Sequence, residues 1–325
     1  MKRFNNILCV VDPKESSETA IIQSVKIAND HQAKVTFVSV LESSRPWGLG
    51  LSTPEENNKC LEEFVANKRS EVINQVSEIA PPLKPNIEVL SGIGFIQIIK
   101  RVIKNKHDLV VKCAEDTDWM DRMLGSEDMH LLRKCPCPVL MLKPEQKDEF
   151  RNILATVDVN DDSVNLDDKR VQEQLNQRVL EYSAAFCMPE LMELRVASAW
   201  EAYAEDLFRY GAFSRLPEEE VDQYIEQVHN ECSNKLNKLV KEMDSMLGKS
   251  AMQHLQPKVH LIKGKPSKEI PLMADVYGTD LIVMGTVGRV GIPGLIIGNT
   301  AESILEQTQC SVLAIKPEGF KTPVE

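Results

Sequence analysis

The chain has 325 residues, 42% of them hydrophobic and 27% charged, with a formal net charge of −11. That length is long for one domain and comfortable for two. The charge argues against non-specific binding to nucleic acid or to an anionic membrane surface, and no apolar run approaches the roughly eighteen residues of a membrane span.

The first predicted strand, ILCVV (7–11), closes on Asp12, which ends the apolar run too early for a secretory signal. SETAIIQSVKIANDH (17–31) follows, apolar at 20, 21, 25 and 28 as on one helical face, with Ser16 or Ser17 placed to cap it. Next come KVTFVSVL (34–41), a polar helical segment over 59–79, NIEVLS (86–91), the helix FIQIIKRVIKNK (95–106), LVVK (109–112) and PVLML (138–142). The near-continuously apolar central runs suit parallel strands covered on both faces. Strands alternating with helices predict a doubly wound α/β fold, with a five-stranded parallel sheet flanked by helices. Ligands of such sheets bind beyond the carboxyl ends of the strands, the edge that Asp12 occupies.

The pattern then repeats. NNILCVVDP (5–13) returns as RNILATVDV (151–159), HDLVVKC (107–113) as TDLIVMG (279–285), and CPVLMLKP (137–144) as CSVLAIKP (310–317). Two copies in the same order predict two domains, 1–146 and 147–325, meeting in the charged stretch 144–150. The second copy carries an insertion, 200–228, rich in aromatic and apolar residues. Either these side chains pack on the domain or its partner repeat, or they roof a pocket of apolar character.

The next segment, GTVGRVGIPGLIIGNT (285–300), holds five of the chain's fifteen glycines. It lies between the strand TDLIVMG and the amphipathic AESILEQTQ (301–309). Strand, glycine loop and helix start is an arrangement whose backbone N–H groups can hold a phosphate. Tight turns alone are the other reading. The eight cysteines form no CxxC and share no metal-ligand spacing with the six histidines. Cys9, Cys137 and Cys310 lie in or beside apolar runs, which predicts buried reduced thiols, no zinc site and a reducing, cytoplasmic setting.

These residues resemble the universal stress protein family in its tandem form. Gly285, Gly288 and Gly298 match that family's Gly-x2-Gly-x9-Gly after a fourth strand, Asp158 matches the aspartate closing the first strand, and Gly264 with Pro266 match its Gly-x-Pro. HDLVVK, HLLRKCPCPV, GTVGR and GNTAE extend the likeness over nearly the whole chain. The resemblance implies two Rossmann-like domains of the adenine nucleotide alpha hydrolase type and a cytoplasmic role in stress. It implies an intramolecular pseudo-dimer of the two domains; a homodimer of chains and an unknown protein partner are left open. ATP or AMP is bound by some members, with Mg²⁺ a companion of ATP, and not by others. Carried over, Asp158 stands at the base end of the ligand and Met284 and Gly285 run along the ribose. Gly288 admits the phosphates, Arg289 adds charge, and Gly298, Asn299 and Thr300 open the last helix toward them. Lys263 and Lys265, beside the Gly-x-Pro, are expected to be solvated rather than ligand-bound.

The chain departs from the family where Asn299 replaces the hydroxyl residue expected directly after the last glycine. In the first copy Cys113 stands for Gly285 and Asp116 for Gly288, with Glu115, Asp118 and Asp121 beside it; only Gly125 and Ser126 keep the helix start. Phosphate there would meet like charge, so one nucleotide loop is expected, in the second copy, and Asp12 reads as structural. No nucleophile–base set, Walker lysine or metalloprotease motif appears, which predicts a binding module and not an enzyme. A stress scaffold without nucleotide, and a binder of a nucleotide-sugar or lipid-like molecule under the insertion, are the alternatives.

Overall fold

The computed structural model describes residues 4–12, 17–41, 54–81, 85–114, 127–143, 149–160, 166–190, 192–211, 216–286 and 298–324. They divide into two compact units, one formed mainly by each sequence repeat.

The first unit contains β1 (Asn6–Val10), α1 (Glu18–His31), β2 (Lys34–Leu41), α2 (Pro54–Ile79), β3 (Asn86–Ser91), α3 (Gly94–Asn105), β4 (Leu109–Cys113), α4 (Glu127–Lys134) and β5 (Val139–Leu142). The strand order is β3-β2-β1-β4-β5, every neighbouring pair parallel. Ile7, Leu8, Cys9, Val110 and Val111 are fully buried in its centre, as expected for strands covered on both faces. Residues 310–324 of the second repeat also belong to this unit. Their strand β10 (Ser311–Ile315) runs antiparallel to β5, with Leu313 opposite Leu140. The pairing covers an apolar edge that β5 would otherwise present to solvent.

Local chemistry alters two expectations here. Ser17 occupies the N-cap of α1 but its side chain does not cap the helix. Its hydroxyl instead accepts the Asp12 N–H at 2.9 Å and donates to the Asp12 carbonyl at 3.0 Å, tying the strand end to the helix start. The second helix begins at Pro54, earlier than 59, because a proline at the first helical position costs nothing and the Glu and Lys residues after it favour helix.

The second unit covers 150–286 and 298–309. It holds β6 (Asn152–Thr156), α5 (Leu166–Cys187), β7 (Glu193–Trp200), α6 (Glu205–Tyr210), α7 (Glu218–Leu247), α8 (Lys249–Leu255), β8 (Lys258–Lys263), α9 (Pro266–Val276), β9 (Leu281–Gly285) and α10 (Asn299–Gln307). Strands β9, β6, β7 and β8 lie side by side in that order, all parallel. No helix among the described residues is long and apolar enough to cross a membrane. All eight cysteines are thiols rather than disulfides; Cys9 and Cys137 are buried as expected, whereas Cys310, just before β10, is only half-buried.

Candidate functional site

Each repeat places the same three parts at the carboxyl edge of its sheet: the end of the first strand, the end of the fourth strand, and the start of the helix after it. In the second repeat β6 and β9 are neighbours, with Thr156 opposite Met284, so Asp158 and Gly285 follow adjacent strand ends. The Gly298 N–H donates to the Thr286 carbonyl at 3.3 Å, which closes the loop and brings the start of α10 to the same edge.

Asp158 is exposed and lies two residues beyond β6. Its backbone is clamped by the buried Asn176 of α5, whose Oδ1 accepts the Asp158 N–H at 3.0 Å and whose amide donates to the Asp158 carbonyl at 2.7 Å. The carboxylate accepts the Asn160 N–H and side-chain amide at 3.0 and 3.1 Å. That amide also reaches the Ala199 carbonyl at 2.9 Å, anchoring the turn to β7. Asn160 and Asn176 escape the sequence reading. The available signal is a polar residue on the apolar face of α5, beside Leu175 and Val179.

Met284 is 2% exposed, so a ligand at this edge meets its backbone rather than its side chain. Gly285 serves packing: a Cβ there would stand 2.5 Å from Leu175 Cδ2, a buried residue of α5. Gly298 is the N-cap of α10, at φ −60° and ψ 140°, and as a glycine it offers no capping side chain. Asn299 and Thr300 are exposed on the first turn. The first N–H groups of the helix therefore point outward with the positive end of its dipole. Gly288 and Arg289 lie outside the described residues.

The Gly-x-Pro segment lies at the same sheet edge. Gly264 has φ +136°, a conformation L side chains rarely adopt, and a Cβ would also meet Glu269 Oε1 at 2.6 Å. Lys263 is exposed, as expected, with its side chain 48% accessible, and it also pairs with Glu205 of the insertion at 2.6 Å. Lys265 is exposed. Within the insertion Trp200, Ala202 and Val221 are buried, Phe208 packs edge-on against Tyr224, and Tyr203 and Tyr210 stay 71% and 81% exposed. Part of the insertion therefore packs on its own domain and part faces solvent.

The first repeat fills the equivalent edge with its own charges. Lys112, in the place of Met284, forms a buried ion pair of 2.8 Å with Asp128 in the first turn of α4. Glu127, in the place of Thr300, turns its carboxylate onto the Gly94 N–H at 3.1 Å and so occupies the start of α3. Cys113 is buried where Gly285 stands in the other copy, and the Asp12 carboxylate meets Lys68 of α2 at 3.4 Å. Lys112 and Asp128 also escape the sequence reading, because an isolated lysine in a strand and an acid in a helix's first turn are each ordinary. Glu115, Asp116, Asp118, Asp121, Gly125 and Ser126 lie outside the described residues.

Comparison with known proteins agrees with this architecture. The chain is 26% identical over 333 residues to the universal stress protein E of Salmonella typhi, covering 100% of this chain and 98% of that protein. It is 27% identical over 330 residues to the homologous protein of Haemophilus influenzae, covering 97% and 98%. Its fold is similar to that of a functionally unknown protein from Pseudomonas aeruginosa PAO1, with a TM-score of 0.63, 20% identity and coverage of 98% and 94%. A universal stress protein from Archaeoglobus fulgidus follows at a TM-score of 0.61, 18% identity and coverage of 97% and 99%. The universal stress protein family matches residues 3–143 and again 149–316, and the chain belongs to that family as two of its units in tandem.

Proposed function

We propose that this protein is a ligand-sensing binding module that takes an adenine nucleotide, ATP or AMP, at the carboxyl edge of its second repeat and performs no dedicated chemistry on it. The observation that carries this reading is the contrast between the copies: α10 starts on a glycine with no capping side chain, at the edge that Asp158 occupies, whereas the first copy places Glu127 and a Lys112–Asp128 pair at that edge. Outward N–H groups on a helix start favour an anion by geometry and charge. The Asp158 carboxylate, held by Asn160 and the Asn176 clamp, is preorganised to accept hydrogen bonds from a base or ribose. Gly288 and Arg289 would complete the phosphate side. Mg²⁺ would arrive with ATP, on its phosphates, since the described part of the site offers Asp158 and no cage of oxygens.

Calorimetric titration of ATP into nucleotide-free protein tests the reading, with mass spectrometry of whatever small molecule the purified protein releases on denaturation. Thr300→Glu, which carries the first copy's Glu127 into the second, is expected to weaken ATP at least about tenfold by like-charge repulsion. A folded wild-type protein that releases no nucleotide and gives no heat with ATP or AMP would leave the stress scaffold as the better account.

A further inference from the structure

At the opposite, amino-terminal edge of the sheets the two repeats differ in the other direction. A cavity of about 470 Å³ opens there in the first repeat, lined in part by Asn6, Lys34, Thr36, Asn86, Asn105 and His107. Strand register identifies the matching positions in the second. Asn6 corresponds to Asn152, Lys34 to Glu193, Thr36 to Arg195 and Asn86 to Lys258. The HDLVV and TDLIV segments match Asn105 with Tyr277 and His107 with Thr279. Larger charged side chains and an aromatic ring stand there instead. The Arg195 guanidinium lies 4.3 Å over the Tyr277 ring, and Arg195 and Lys258 both bind Glu193, at 2.5 and 2.6 Å. Small polar residues in the first copy leave open what an ion network closes in the second.

The lining of the open cavity fits a particular chemistry. His107 is 5% exposed and neither ring nitrogen has a well-formed hydrogen bond; the Asn6 backbone beside it also accepts the Asp108 N–H at 2.9 Å. Burial pushes the imidazole pKa down, against smaller pulls from the Asn6 backbone, Glu88 and Asp108, and with Arg101 acting alongside burial. A neutral imidazole offers one donor and one acceptor. The Asn6 amide donates one N–H to the Asn105 carbonyl at 2.8 Å, and that of Asn86 one to Thr36 Oγ1 at 3.1 Å, so each amide keeps a second N–H donor and its Oδ1 acceptor. No carboxylate lines the space, and Val25 and Pro85 supply apolar surface.

From this we infer that the first repeat carries a small-molecule site at the amino-terminal edge of its sheet, for an uncharged polyhydroxylated ligand of the monosaccharide or polyol class. A hydroxyl donates to one amide oxygen while accepting from another N–H, so a ring of hydroxyls satisfies this mixed lining, and its C–H faces suit the apolar wall. The volume is within the range of small-ligand pockets. The inference does not depend on nucleotide binding in the second repeat.

Saturation-transfer NMR with glucose and ribose, each at about 5 mM, on the full chain tests it. Transfer from wild-type protein to at least one sugar is expected. The double variant Thr36→Arg with Asn105→Tyr, which rebuilds the second copy's plug, should cut the signal at least fivefold and leave the melting curve cooperative. Asn86→Leu, a milder change on the same wall, should also reduce it and serves if the double variant does not fold. Absence of transfer to both sugars, or equal transfer in the plugged or Asn86→Leu protein, would overturn the assignment. So would ³¹P line broadening by inorganic phosphate that disappears in Lys34→Ala while the sugars remain silent, since that is an anion site.

Discussion

Lys316 offers a sharp test of how this fold tolerates charge. It follows β10 directly, is 2% exposed, and has its ammonium 5.3 Å from the centre of the Phe320 ring. Burial lowers its pKa from 10.5 to about 7, against a smaller opposing effect of Cys135. A change of that size corresponds to about 5 kcal/mol between the two protonation states, an upper figure because local opening relieves part of it. The sign follows from which state holds the proton. Between about pH 7 and 10.5 the unfolded chain binds a proton that the native protein does not, so this group makes stability rise with pH, by about 1.4 kcal/mol per unit. Below about pH 7 both states are charged and the full cost of burying the charge is present. Lys316→Met keeps the length and apolar stem and removes the charge. It should be more stable than wild type near pH 6, and the gap should narrow by about 3 kcal/mol by pH 9. Urea unfolding of both proteins at matched pH values measures it, since all other titrating groups cancel in the difference. A gap independent of pH would refute the reasoning and show that Lys316 keeps an ordinary pKa in the folded protein.

Three further outcomes are expected. Gly285→Ala drives a methyl group against Leu175 and should cost about 1–3 kcal/mol by denaturant unfolding, whether or not nucleotide is present. Asn176→Leu removes both bonds to the Asp158 backbone. It should lower stability by about 1–3 kcal/mol and weaken ATP in calorimetry, whereas a purely structural role would leave the affinity of the folded protein unchanged. Lys112→Met alone removes the cation paired with the buried Asp128 and should cost about 3–5 kcal/mol, while the double change with Asp128→Leu should recover most of that in a thermal melt.

Much of the fold was legible because the signals that carry it are local. Apolar runs such as LVVK and VLML mark the central strands, and the repeated phrases alone set the two copies in register. Ser17 looked like a cap because cap preference is local too; which backbone group its hydroxyl meets depends on where β1 ends, and that is tertiary. The aspartate after β6 was visible at the right edge, but the Asn176 that fixes it comes from another element, 18 residues on. Gly285 shows the limit most clearly. Glycine after a strand suggests close approach of a ligand, and the contact that demands it is Leu175 of α5, 110 residues earlier in the chain. A sequence marks where a Cβ is unwelcome without saying what would collide with it.

Lys263 makes a related point about charge: it is exposed, as a lysine flanking a turn reads, but its pairing with the inserted Glu205 is tertiary. Charge pairing also explains how two copies of one unit diverge without altering the sheet. At the carboxyl edge the first copy places Lys112 and Asp128 against each other, and the second has Met284 and Ala301 at the matching places. At the amino edge the second copy places Arg195 and Glu193 against each other, and the first has Thr36 and Lys34. An ion pair at a sheet edge satisfies its own charges and takes up room there. In both proposed sites, the edge without such a pair keeps its backbone and small polar groups for a ligand. Charge pairs at one edge per copy, and at opposite edges in the two copies, give a duplicated fold two chemically different surfaces from one plan.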